Sequence, residues 1–259
     1  MPDRSHPFGI VELDTALEST LPLGWLGVVE GRSGSGTSLL AKQFAHAGLG
    51  ASPVLYYTTY ERSDDVARAF AGFGWKSEGL HAVDLAAEYY DRVLKRDIEV
   101  SRTRERGITY RDLVGAANMP VQRRTFNLEN RLLADLAAIE GPFRLVLDSL
   151  DLFLELAEPA QVARVARHIR RLAQEYGGQA LLVLQEEHAG ATARSLLEEL
   201  ADLVVELKTD TAVDPPMIRV AVRKIGDRPD RTGRWQLRVG PGGLEAVAHP
   251  AGITESPPG

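Results

Sequence analysis

Apolar and polar positions follow two different periods along this chain, and the places where one gives way to the other mark its elements. The run Leu26-Gly27-Val28-Val29 leads into Gly31-Arg32-Ser33-Gly34-Ser35-Gly36-Thr37-Ser38 and then into Leu39-Leu40-Ala41-Lys42-Gln43-Phe44. A short apolar run, a glycine-rich turn and a helically spaced segment predict strand, loop and helix in that order. Val54 to Tyr60 predicts a second buried strand. Ser63-Asp64-Asp65 then supplies an N-cap and acidic first-turn residues for a helix running to about Phe73. Leu80 to Leu85 predicts a short third strand.

From about 88 to 126 the periodicity weakens and arginine accumulates, which reads as an insertion into the fold. Regularity returns with Leu132, Leu133, Leu136 and Ile139 at helical spacing, closed by Gly141-Pro142, before a buried strand from Phe143 that ends on Asp148. A helix from near Pro159 carries Val162, Val165, Ile169 and Leu172 on one face, with Arg164, Arg167, Arg170 and Arg171 largely on the other. Gly177-Gly178 stops it. Strands are predicted at 180–184 and 203–207, with a short helix at 193–200 between them. Met217–Val222 and Trp235–Val239 flank a turn-rich segment and read as a hairpin. Alternating strands and helices followed by clustered strands predict an α/β fold: a mainly parallel sheet covered by helices, with an antiparallel C-terminal edge. The expected organisation is one domain over 1–248 carrying the insertion, then a loose Pro- and Gly-rich tail at 249–259.

Composition narrows the chemistry. With 44% hydrophobic and 25% charged residues over 259 positions the chain has the balance of an ordinary globular protein. It contains no cysteine, which excludes disulfides, thiolate metal sites and a cysteine nucleophile. The N-terminal residues lack an apolar signal core, and no uncharged run approaches the roughly 20 residues needed to span a bilayer, so a cytoplasmic protein is expected. The net charge of −6 conceals an asymmetry. Residues 92–124 hold nine basic and four acidic side chains, so the remainder carries about −11.

Successive backbone amides in a glycine-rich turn that feeds a helix N-terminus form an anion cradle. Gly31 to Ser38 has this form. Against the phosphate-loop pattern G-x-x-x-x-G-K-[ST] the chain supplies Gly31, Gly36 and Ser38 but places Thr37 at the lysine position. A lysine there would neutralise phosphate oxygens, whereas a threonine offers one neutral hydroxyl. The alternative is a plain strand–turn–helix with flexible glycines. Asp148, ending a strand, is the residue type that holds a water on Mg²⁺ opposite the loop hydroxyl, here Ser38.

As a set, these segments resemble the RecA/KaiC superfamily of P-loop ATPases. Gly9-Ile10, Leu13-Asp14 and Leu17 are similar to the family's opening stretch, Leu40-Ala41 and Gln43-Phe44 to its first helix, and Tyr60-Glu61-Arg62-Ser63 to its aromatic-Glu-Glu-Ser segment. Asp148-Ser149-Leu150, Ala201-Asp202 with Val204, and Val222-Arg223-Lys224-Ile225-Gly226 resemble its later motifs. The resemblance spans about Phe8 to Val247 apart from the insertion. It implies ATP and Mg²⁺ as cofactors, held by Gly31, Arg32, Ser33, Gly34, Ser35, Gly36, Thr37 and Ser38. Ser38 would be the Mg²⁺ ligand and Asp148 would hold the metal's water. Glu61 would orient the attacking water, Gln185 would sense the γ-phosphate, and Lys224 would reach a neighbouring protomer's nucleotide.

Two departures fall on the catalytic centre: Thr37 replaces the lysine, and Arg62 replaces the second glutamate. Binding by amides and metal survives them better than turnover does. Arg32 or a neighbour's Lys224 is placed to restore part of the charge, while Lys42 is expected to face solvent. The expected function is therefore ATP/Mg²⁺ binding with weak or absent hydrolysis in a regulatory or assembly component, as a homo-oligomeric ring or filament or with a partner protein. Two alternatives stand beside it: a nucleotide-free scaffold working through protein contacts, and a recombinase relative that binds single-stranded nucleic acid through residues 92–124, with Tyr89, Tyr90, Tyr110 and Phe126 nearby to stack on bases. His188 is expected to be a surface histidine.

Overall fold

The computed structural model describes residues 7–17, 21–95, 98, 101–102, 105, 107, 128–228, 230 and 232–247. Its frame is a nine-stranded sheet in the order β3-β2-β4-β5-β1-β6-β7-β8-β9. The strands are β1 (Trp25–Gly31), β2 (Val54–Thr58), β3 (Leu80–Asp84), β4 (Arg144–Asp148), β5 (Gln179–Gln185), β6 (Leu203–Asp210), β7 (Met217–Ile225), β8 (Gly233–Gly240) and β9 (Gly243–Ala246). The six from β3 to β6 run parallel and the last three pair antiparallel, as the alternation of elements predicts.

The central strands are buried on both faces, which is why they read as continuous apolar runs. Successive residues point to opposite faces, so Tyr56 and Tyr57 enter different cores. One core joins Trp25, Val29 and Tyr56 to α1 (Val11–Leu17), α2 (Thr37–Gly48) and α3 (Ser63–Gly72). The other joins Leu26, Val28 and Tyr57 to α5 (Leu128–Ala137), α6 (Asp151–Leu156), α7 (Pro159–Tyr176) and α8 (Ala191–Leu200). The short α4 (Leu85–Tyr89) follows β3 directly. In α7 the faces fall as the periodicity predicts, with Val162, Val165 and Ile169 buried, and Gly177 ends the helix in the left-handed region at φ +69°.

Some expectations shift. The α3 N-cap is Arg62, not Ser63, and Asp65 turns back onto the Arg62 amide at 3.4 Å. The periodicity gave no sign of α1, where the buried Asp14 carboxylate accepts the amides of Phe8 and Ile10 at 2.9 and 3.0 Å. It also missed β9. That strand is fixed by Gln43 of α2, whose amide group donates to the Leu244 carbonyl at 3.0 Å and accepts the Leu244 amide at 2.6 Å.

Of the arginine-rich segment, Arg92, Lys95 and Arg102 are described. The other basic residues of 92–124, with Tyr110 and Phe126, lie outside the described residues, as does the tail. No helix among the described residues is long and apolar enough to cross a membrane.

Candidate functional site

The parallel strands β1, β2, β4 and β5 end on one edge of the sheet, where ligands of open α/β sheets bind. The loop between β1 and α2 lies on this edge. Gly34 and Gly36 have φ of +79° and +92°, conformations that exact a steric penalty from any side chain. Packing also requires glycine: a Cβ on Gly36 would lie 2.7 Å from Ile218 Cδ1, and one on Gly31 would lie 2.4 Å from Ser35 Oγ. The Ser35 amide closes the turn on the Arg32 carbonyl at 2.9 Å, and α2 begins at Thr37, whose side chain is buried. Sequence and geometry therefore agree on a nest of amides at the start of a twelve-residue helix.

Below the loop is a compact polar cluster. Ser38 Oγ donates to Asp148 Oδ1 at 3.2 Å, and Tyr56 donates to Asp148 Oδ2 at 2.5 Å. Tyr60, half exposed, turns its hydroxyl inward to Ser38 Oγ and to Asp148 Oδ2, the latter at 3.2 Å. Burial raises the Asp148 carboxyl above the ordinary aspartate range, while the nearby Lys42 charge and the Tyr56 hydrogen bond pull the other way. Burial and the Asp148 charge push both tyrosine hydroxyls well up, so they remain donors.

Glu61 follows β2, its amide anchored on Thr58 Oγ1 at 2.9 Å. Its carboxylate overturns the expectation for Lys42. That lysine does not face solvent: its side chain is only 5% exposed and its ammonium lies 2.8 Å from Glu61 Oε2. The reason is spacing. Lys42 is four residues beyond Ser38, on the same face of α2, and this helix is buried nearly all round.

Gln185 ends β5 in register with Gly31, and its buried Oε1 has no protein partner. Arg32 points outward and pairs with Glu187 at 3.2 Å. Lys224 donates to the carbonyls of Glu198 and Glu199 at 2.8 and 3.0 Å, closing the C-terminal end of α8 on its own chain. His188 is exposed, as expected. Four participants had been given no role from sequence: Tyr56, Tyr60, Lys42 and Glu187. For Lys42 the i, i+4 relation to Ser38 was the available signal.

These residues fit a bound polyphosphate with Mg²⁺. Ser35 Oγ is a buried hydroxyl that could donate to a phosphate oxygen, and Gln185 Oε1 is a buried acceptor to which a water in the site could donate. Ser38 and Asp148 present the hard oxygens that Mg²⁺ takes, and the Tyr60 hydroxyl hydrogen-bonds to both. Among the described residues no group of three His, Asp or Glu side chains could hold a metal, so Mg²⁺ here would complete its coordination with water and phosphate. A separate cavity of about 600 Å³, lined by Pro215, Pro216, residues 238–241 and Glu245, includes no loop residue.

Comparison with known proteins agrees with this geometry. A family model described as "ATPase: KaiC" matches residues 6–250. The fold is similar to that of a KaiC-like protein from the hyperthermophilic archaeon Pyrococcus horikoshii OT3, with a TM-score of 0.66 at 20% identity, covering 95% of this chain and 99% of that one. No curated protein matches the chain in sequence.

Proposed function

The chain belongs to the KaiC family of ATPases, and on that footing we propose that it binds ATP with Mg²⁺ and hydrolyses it slowly or not at all. The observation that carries this reading is a glycine-rich loop at the start of α2 beside a hydrogen-bonded Ser38–Asp148 pair, with Thr37 in place of the lysine. Amides of the Gly31–Ser38 loop hold the phosphates, and Ser38 with Asp148 holds the metal, which when bound polarises phosphoryl oxygens. Gln185 presents its free amide oxygen at the end of β5. Glu61 is the carboxylate available to orient a water. Without a loop lysine the charge that develops on phosphoryl transfer is poorly compensated, so the nucleotide acts as a regulatory or assembly ligand. KaiC-type domains work as oligomers, and a ring or filament of this chain is part of the proposal. Lys224, engaged by α8 on its own chain, is left outside the site.

Thermal unfolding with and without Mg-ATP tests it. A ligand at 100 times its dissociation constant adds about 2.7 kcal/mol of stability. No shift at millimolar ATP overturns the reading in favour of a nucleotide-free scaffold. One observation favours that second reading: Tyr60 and Glu187 already engage the metal pair and a loop amide from within the chain.

A further inference from the structure

The Lys42 ammonium lies 2.8 Å from Glu61 Oε2 and 5.8 Å from the ring centroid of Tyr56, the tyrosine whose hydroxyl donates to Asp148. Burying a lysine this completely carries a desolvation cost that a protein tolerates only with a partner charge. The two carboxylates pose the mirror problem. Both lie at the base of a site read as holding a polyanion, and the loop cation that would neutralise phosphate oxygens is absent at Thr37. The loop carries no such charge, and one formal positive charge stands inside α2 at Lys42.

We propose that Lys42 is the compensating cation of this site: brought in through the buried face of α2, it positions and neutralises the Glu61 carboxylate, so that a bound nucleotide phosphate does not meet an uncompensated Glu61. Lys42 acts through Glu61 and touches no phosphate, and is therefore a positioning residue. The proposal rests on the nucleotide-binding reading for its consequence, and on the Lys42–Glu61 contact alone for its mechanism.

Methionine has the length and apolar stem of lysine without the charge, so Lys42→Met separates charge from packing. Titration with a fluorescent ATP analogue and Mg²⁺ should show Lys42→Met binding about tenfold more weakly than the parent, because the partly buried Glu61 carboxylate is left unpaired. Lys42→Arg should retain most of the affinity. The double variant Lys42→Met/Glu61→Gln should recover it, since removing the carboxylate removes the need for the cation. A purely structural lysine would show no such recovery. The pairing is also read without nucleotide, by urea unfolding of the parent, both single variants and the double. The two substitutions together should cost less than the sum of each alone. Lys42→Met affinity equal to that of the parent, or additive stability losses, overturns the proposal. If the parent itself binds no Mg-ATP, the nucleotide reading fails, and the urea cycle still decides whether Lys42 and Glu61 are coupled.

Discussion

The Glu187 carboxylate lies on the backbone amide of Ser33, with its two oxygens at 3.3 and 3.2 Å, and accepts the Arg32 guanidinium at 3.2 Å. One amide and one cation of the anion-binding loop are thus engaged by an anion of the same chain. A hydrogen bond from its own backbone, reinforced by those from Arg32 and Ser33, holds the Glu187 carboxyl below the ordinary glutamate range, so it stays charged at neutral pH. An incoming phosphate has to displace it. Glu187→Gln should therefore tighten Mg-ATP binding severalfold, most at low salt, where exposed charges are least screened. Equal affinities for Glu187→Gln and the parent at low salt would show that the contact does not compete.

Thr37 is 2% exposed at the first helical position, where the loop pattern calls for lysine. Thr37→Lys should place an ammonium over the loop and tighten Mg-ATP binding by about tenfold through charge-assisted contacts. With Glu61 well placed, phosphate release should rise as well. Isothermal titration and a phosphate-release assay measure the two separately. No change in either would mean that the loop's charge is already supplied, or that Glu187 keeps the loop closed.

The sheet was legible in the sequence because its central strands are buried on both faces and appear as unbroken apolar runs, with Gly31, Gly36 and Asp148 punctuating their ends. What escaped depends on contacts distant in sequence. The strand at 243–246 pairs with β8 across the Pro241-Gly242 turn, but the contact that ties it to α2, Gln43 on the Leu244 backbone, spans 201 residues, and a local pattern carries no trace of that. Glu187 meets Ser33 across 154 positions. Lys42 was misread for a different reason: periodicity assigns lysine to solvent by default, and α2 buries even its polar side chains. The site residues on the loop itself were readable, and their internal partners were not.

Arg144, at the start of β4, is a structural cation. It donates to the carbonyls of Pro7 and Phe44 at 2.9 and 2.6 Å and to Gln179 Oε1 at 2.7 Å, and it lies over the Phe44 ring at 4.5 Å. Burial pulls its guanidinium down to about 10, and the Asp14 charge opposes that. Arg144→Leu removes the donors to three buried acceptors. A loss of about 3 kcal/mol is expected in urea unfolding, with Mg-ATP affinity of the folded variant unchanged. A loss within 0.5 kcal/mol, the range of ordinary surface substitutions, would contradict this account of Arg144.

Glu30, immediately before the loop, is buried beside Arg223 and has Arg194 Nε 3.3 Å from its second oxygen. Burial raises its carboxyl above the ordinary range, and the charges of Arg223 and Arg194 oppose the rise. A group whose folded pKa is raised contributes stability that is present at low pH and lost as pH climbs through that value. Removing Arg223 takes away the largest opposing charge, so the rise grows and the pH-dependent loss grows with it. Arg223→Met should unfold more easily than the parent by about 1–3 kcal/mol at pH 8, discounted for the partial exposure of Arg223, and the difference should shrink by pH 5. In Arg223→Met/Glu30→Gln the part of this pH dependence due to Glu30 should vanish, while Glu198 and Glu206, the other carboxylates beside Arg223, still lose their partner. Urea midpoints at the two pH values measure all three chains. A penalty of the same size at pH 5 and pH 8 would assign the loss to packing of the arginine stem and not to the buried charge.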